Sequence, residues 1–89
     1  MIDAQILIKN KLGLHARAAV KFVNLANRFQ AHVKIIKDGS EIDGKSILGI
    51  LTLAATKGTT LRLKISGRDE RAALKALEAL IDARFGESE

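Results

Sequence analysis

The sequence predicts an α+β fold, a two-layer domain in which helices cover one face of a mainly antiparallel sheet. Three observations predict it. Apolar residues alternate at period two in several short stretches, and between these stretches the period becomes helical. The Asp38-Gly39 pair joins two strand-like stretches through a tight turn. Eighty-nine residues support one hydrophobic core, so residues 1–89 read as a single domain.

Residues 2–9 alternate, with Ile2, Ala4, Ile6 and Ile8 on one side, and read as a half-buried strand. Asn10-Lys11-Leu12-Gly13 reads as a turn. From about His15 to Arg28 the period is helical, with Ala19, Phe22, Val23, Ala26 and then Phe29 along one side. Residues 32–37 form a second strand, and Asp38-Gly39 returns the chain into a short third strand through Ser40–Asp43. Gly44-Lys45-Ser46 opens a helical segment to about Ala55, which Lys57-Gly58 ends. Residues 59–66 alternate again, with Leu61, Leu63 and Ile65 inward. Asp69 stands as the cap of a last helix to about Arg84, with Ala73, Leu77, Leu80 and Ile81 as its buried stripe. The order is β-α-β-β-α-β-α.

Composition removes several classes of function. There is no Cys, so no disulfide framework, zinc finger or thiol nucleophile is available. No apolar run approaches the roughly 20 residues of a membrane span. The opening stretch carries Asp3 and Gln5 among its apolar residues and does not read as a secretory signal. A soluble protein of a reducing cytoplasm is expected. The net charge of +5 favours acidic partners. Phe is the only aromatic type, with three copies, which is thin equipment for stacking bases.

The first candidate for chemistry is Gly13-Leu14-His15-Ala16-Arg17. It lies where a loop becomes a helix, so the first-turn N–H groups lack intrahelical partners and form an anion site. His15 falls at the cap position, where Ser, Thr, Asp or Asn would be the structural choice. Arg17 can reach the same space with a planar fork suited to phosphate oxygens. A neutral imidazole is nucleophilic, and both Arg17 and the helix N-terminus favour the neutral form. A surface loop can carry the same triplet with no function, and these residues alone leave both readings open.

The second candidate is the segment after Ser46, a natural N-cap. Ile47, Leu48, Gly49, Ile50, Leu51 and Leu53 make it apolar nearly all round. In a two-layer domain of this size some of Ile47, Leu48 and Leu51 should be exposed as a docking surface, which Val20 would extend. The alternative is a short helix buried on every side. Residues 39–46 also match the G-x-x-x-x-G-K-[ST] phosphate-loop pattern. Their middle reads as the return strand of a hairpin, and no later strand supplies an acidic residue for magnesium, so coincidence is the better account. His32 reads as a solvent-facing strand residue, and no metal site is expected.

Taken together, Gly13-Leu14-His15-Ala16-Arg17, Gly44-Lys45-Ser46-Ile47-Leu48-Gly49 and Gly67-Arg68-Asp69-Glu70 resemble HPr, the histidine phosphocarrier of the bacterial phosphoenolpyruvate-dependent phosphotransferase system. The resemblance covers essentially the whole chain. It implies a βαββαβα open-faced sandwich, with a four-stranded antiparallel sheet in the order 1-4-2-3 covered on one face by three helices. It implies that the δ1 nitrogen of His15 accepts phosphate from Enzyme I and passes it to IIA proteins or domains. Arg17 matches the family's phosphate-orienting arginine and Ser46 its regulatory serine, the target of a dedicated serine kinase/phosphatase where one exists. Ile47, Leu48 and Leu51 fall on the partner-facing side. A monomeric carrier, not an enzyme, is implied, with no cofactor, nucleic acid or membrane partner.

In one respect the chain departs from the family. Most members carry Pro after the arginine, and this chain has Ala18. Pro suits a helix's first turn, because its missing N–H had no partner there. Ala18 restores one backbone donor and gives up some preorganisation. Sugar import, nitrogen-related control and other regulation all remain open as the branch served. The competing reading from another class is a small basic RNA-binding α+β domain, which needs a continuous basic surface and stacking groups.

Overall fold

The alternation read in the sequence becomes four strands in the computed structural model, which describes residues 1–89. These are β1 (Ile2–Leu7), β2 (His32–Lys37), β3 (Ser40–Asp43) and β4 (Thr60–Ser66). The helices are α1 (Ala16–Ala26), α2 (Ile47–Thr52) and α3 (Glu70–Asp82), followed by a single 3₁₀ turn at Arg84–Gly86. The sheet order is β1-β4-β2-β3, and every neighbouring pair is antiparallel. Both the βαββαβα order and the 1-4-2-3 sheet are as expected.

Register explains why the sheet has one dry face. Ile6 lies opposite Leu61 and Ala4 opposite Leu63, while Leu63 and Ile65 of β4 also meet Ile35 and Val33 of β2. Ile6, Val33, Ile35, Leu61, Leu63 and Ile65 are all buried. The alternate residues Asp3, Gln5, His32, Lys34 and Arg62 are exposed, with Arg62 paired to Asp3 and Lys34 to Glu41. Because side chains alternate along a strand, a one-residue slip would exchange these two sets, so burial itself holds the register. From the helices, Ala19, Phe22, Val23 and Ala26 of α1 and Ala73, Leu77 and Ile81 of α3 complete the core. The hairpin turns through Asp38 and Gly39, both at positive φ (49° and 84°), the conformation a two-residue turn between twisted strands requires.

Several expectations need correction. The strands read over residues 2–9 and from residue 59 are regular over Ile2–Leu7 and Thr60–Ser66, and beyond them the Ile8 N–H still donates to the Thr59 carbonyl at 2.9 Å. The second helix stops at Thr52, not near Ala55, because Ala54 takes a left-handed backbone (φ 50°) and the Lys37 ammonium donates to the Leu53 carbonyl at 2.9 Å. Asp69 occupies the cap position of α3 but makes no cap bond. Its carboxylate instead accepts the Gln30 and Ala31 N–H groups, both at 2.9 Å, tying the end of the α1–β2 connection to the start of α3. The third helix ends at Asp82, and beyond it Arg84 and Phe85 both have positive φ, which turns the Phe85 ring into the core as a fully buried residue absent from the expected stripe.

Candidate functional site

The segment before α1 is held from below. Gly13 sits at φ 66°, and a Cβ there would come within 2.3 Å of the Ala55 carbonyl oxygen, so both conformation and space demand glycine. Leu14 is buried, and its N–H donates to that same carbonyl at 2.9 Å. The chain therefore enters α1 along a fixed path, and His15 is its N-cap residue, with extended backbone (φ −75°, ψ 178°). Its side chain makes no cap bond. The first helical hydrogen bond runs from Ala19 N–H to the His15 carbonyl, which leaves the Ala16, Arg17 and Ala18 amides without partners. No acidic side chain lies in the first turn. Arg17 is exposed and enters no ion pair or hydrogen bond. Three free donors and the positive end of a helix begin at His15, and a free guanidinium follows two residues on. Such an arrangement can receive and hold a phosphate.

The ring has a partner that sequence reasoning missed. The Glu87 carboxylate meets His15 at Nε2, while Nδ1 makes no hydrogen bond. The sequence places only Arg17 and the helix N-terminus near this ring, and the carboxylate adds to them. Glu87 is itself held by Asn10, a fully buried side chain whose amide donates to Glu87 Oε1 at 2.9 Å and to the Gly13 carbonyl at 2.8 Å. The Asn10 amide first, and His15 second, keep the Glu87 carboxyl below the usual carboxylate range. Arg17 and Glu87 line one shallow open depression together with Lys11, Leu12, Ser88 and Glu89.

Comparison with known proteins decides the family. A model described as the PTS HPr component phosphorylation site matches residues 2–83. The chain belongs to the HPr family. It is 48% identical over 89 residues to the phosphocarrier protein HPr of Neisseria meningitidis, covering all of both chains. A crystal structure of HPr-C-His from Thermoanaerobacter tengcongensis superposes with a TM-score of 0.96 at 43% identity, again covering all of both chains. A crystal structure of an HPr dimer from the same organism matches at a TM-score of 0.79 and 44% identity, covering 98% of this chain and 100% of that one.

The other expected residues of this HPr-family chain fall into two groups. Ser46 is the N-cap of α2, and its hydroxyl accepts the Gly49 N–H at 3.0 Å. Beside it Ile47, Leu48 and Leu51 are exposed, Leu48 to 77%, while Ile50 and Leu53 are buried. The alternative of a helix buried on every side is therefore excluded. Val20 and Leu12 are exposed as well. Fully burying one such side chain is worth about 1.5–3 kcal/mol, so leaving a set of them in water forgoes stability.

The phosphate-loop match dissolves in the fold. Its middle, Ser40–Asp43, is strand β3, and the Lys45 ammonium is occupied by the Phe29 carbonyl at 2.8 Å. His32 is exposed on β2, and no group of three metal-ligating side chains exists. Phe22 and Phe85 are buried and Phe29 is half-buried, so none presents a stacking face for RNA. No helix is long and apolar enough to cross a membrane.

Proposed function

We propose that this chain is the carrier that takes a phosphoryl group from phosphorylated Enzyme I onto Nδ1 of His15 and passes it to IIA proteins or domains. The observation that carries the reading is His15 at the start of α1, beside three unpartnered amides and an unpaired Arg17. In the transfer, the Nδ1 lone pair forms the N–P bond while the donor's bond to phosphorus breaks, and the donor leaves with that electron pair. The amides and Arg17 neutralise the phosphoryl oxygens before and after the step, so the group is oriented for transfer. The chain is a carrier and not an enzyme in the usual sense, since it is itself the acceptor and is regenerated by the next transfer.

Val20, Ile47, Leu48 and Leu51 form the docking surface in this reading. Their exposure supports it, as does their position on α1 and α2, which pack against each other. Ser46 is the regulatory site wherever the organism has the dedicated serine kinase. A phosphate there would bring about −1.5 to −2 charges beside Ile47 and Leu48 and repel an acidic partner surface. The carrier works as a monomer in the cytoplasm, with its histidine and its apolar patch on one copy.

A two-stage transfer tests the reading. With Enzyme I and phosphoenolpyruvate the chain should take one acid-labile phosphate, and adding a IIA protein should move the label off it. A chain that takes no phosphate, or cannot give it up, is not this carrier.

A further inference from the structure

We propose that Glu87 is a positioning residue for His15: its carboxylate accepts the Nε2–H, fixes the ring in the tautomer that leaves the Nδ1 lone pair bare, and balances the charge the ring gains when phosphorus binds. This inference rests on the carrier reading above and adds a residue to it.

The observation is an acceptor built into place from three sides. Glu87 lies 72 residues from His15 in sequence, yet its side chain is only 15% exposed and that of His15 26%. Both carboxylate oxygens are engaged. Oε2 meets the ring, and Oε1 accepts from Asn10, whose NH₂ group divides its two hydrogens between Glu87 and the Gly13 carbonyl. Since both of these are acceptors, the orientation of the Asn10 amide is determined by its surroundings. The backbone on either side of Glu87 is fastened too. Phe85 is buried with its carbonyl accepting from Lys21 Nζ at 2.5 Å, the Glu87 N–H donates to Arg84, and the Glu89 carbonyl accepts the Lys11 N–H at 2.9 Å. A loosely attached carboxylate would be a surface ion pair of little consequence. This one is held to the same loop, through Gly13, that delivers His15.

The chemistry follows from the geometry. A neutral imidazole has one N–H and one lone pair, and the nitrogen that meets a carboxylate carries the hydrogen. The lone pair is then on Nδ1, the atom without a partner. When Nδ1 forms its bond to phosphorus and the donor departs with its electron pair, the ring keeps the Nε2 proton and becomes a cation. Glu87 stabilises that cation, as a buried carboxylate does for a histidine base in hydrolases. No proton has to leave, and in the onward transfer the protonated ring is the better leaving group. Arg17 and the amides act on the phosphate, and Glu87 acts on the far side of the ring.

The test uses the full chain and its Glu87→Ala and Glu87→Gln variants. Nitrogen-15 NMR of the ring reports the tautomer, and steady-state transfer from phosphorylated Enzyme I reports maximal rate and KM separately. The wild type should show the Nε2–H tautomer. Glu87→Ala should shift neutral His15 toward the Nδ1–H form and lower the maximal rate roughly 10- to 100-fold with KM unchanged, by analogy with outer partners that orient metal-ligating histidines. Glu87→Gln keeps the shape but offers one acceptor oxygen to two donors and has no charge, so it too should transfer slowly. It remains informative if the alanine variant fails to fold. A folded variant with wild-type tautomer and wild-type rate, even at a lowered melting temperature, would overturn the proposal and make Glu87 a tether for its own segment. A wild-type chain that takes no phosphate would instead sink the carrier reading, whatever its tautomer.

Discussion

Two helices of this chain begin in opposite ways. At the start of α2 a serine does what an N-cap does, and the Ser46 hydroxyl accepts the Gly49 N–H. At the start of α1 the cap position holds His15, whose side chain caps nothing, and three amides are left free. Both starts are approached through a rigid turn and both lie near exposed apolar side chains. At α2 the chain itself satisfies one of the first-turn amides, that of Gly49, and at α1 it satisfies none. An uncapped start forgoes about 1 kcal/mol of helix stability, so keeping one is explicable where an arriving anion supplies the missing acceptors. The start of α3 also lacks a side-chain cap, so what sets α1 apart is a histidine at the cap with an unpaired arginine two residues on.

Arg17→Ala is the sharpest way to probe the working start. Losing a hydrogen bond to a charged group costs about 1.5–3 kcal/mol, roughly 10- to 150-fold in transfer rate. Arg17 has no partner in the resting protein, so the melting temperature should not move. A variant that transfers at the wild-type rate would show that the free amides suffice.

Ser46 should respond the other way round. Ser46→Ala removes a cap and should lower stability by about 1 kcal/mol with labelling of His15 unchanged. Ser46→Asp keeps an acceptor at the cap, so thermal denaturation should find stability held. If the regulatory reading is right, the added charge slows phosphate uptake from Enzyme I. Normal uptake by Ser46→Asp would leave Ser46 as a cap and nothing more.

The smallest effect concerns acid. The Glu87 carboxyl is held below its ordinary range by the Asn10 amide and then by His15, with Lys21 also contributing favourably. A depressed carboxylate adds stability above its unfolded-state value and loses it as pH falls through its folded value. Asp69, held down chiefly by the Gln30 N–H, and Glu70, held chiefly by the Gly67 N–H, add to the same acid limb. Glu87→Ala should therefore be less stable than wild type near neutrality, and the gap should close below the ordinary carboxylate range. Urea titrations at several pH values would show it, and a gap that widens in acid would contradict the assignment.

What the sequence revealed and what it concealed have physical causes. The β2–β3 hairpin was legible to the residue, because period-two alternation and Asp38-Gly39 are local signals. The His15 and Ser46 cap positions were legible for the same reason. The end of α2 was not, since nothing about alanine announces the left-handed backbone of Ala54. Asp69 carried the right residue type for a cap and was recruited by amides 38 and 39 residues away. Glu87 and Asn10 belong to the same class, acting through contacts between distant ends of the chain. One clue was available: Phe85 stands four residues after Ile81, in line with the buried stripe of α3, and an anchored Phe85 draws the residues after it toward the core.

The proposed carrier function rests above all on His15, and labelling its variants tests it directly. Wild type, His32→Ala and His15→Ala would each be incubated with Enzyme I and phosphoenolpyruvate, and bound phosphate measured before and after acid treatment. Wild type and His32→Ala should each take one acid-labile phosphate, while His15→Ala stays folded and takes none. Phosphate on a folded His15→Ala, or its loss from His32→Ala, would contradict the account.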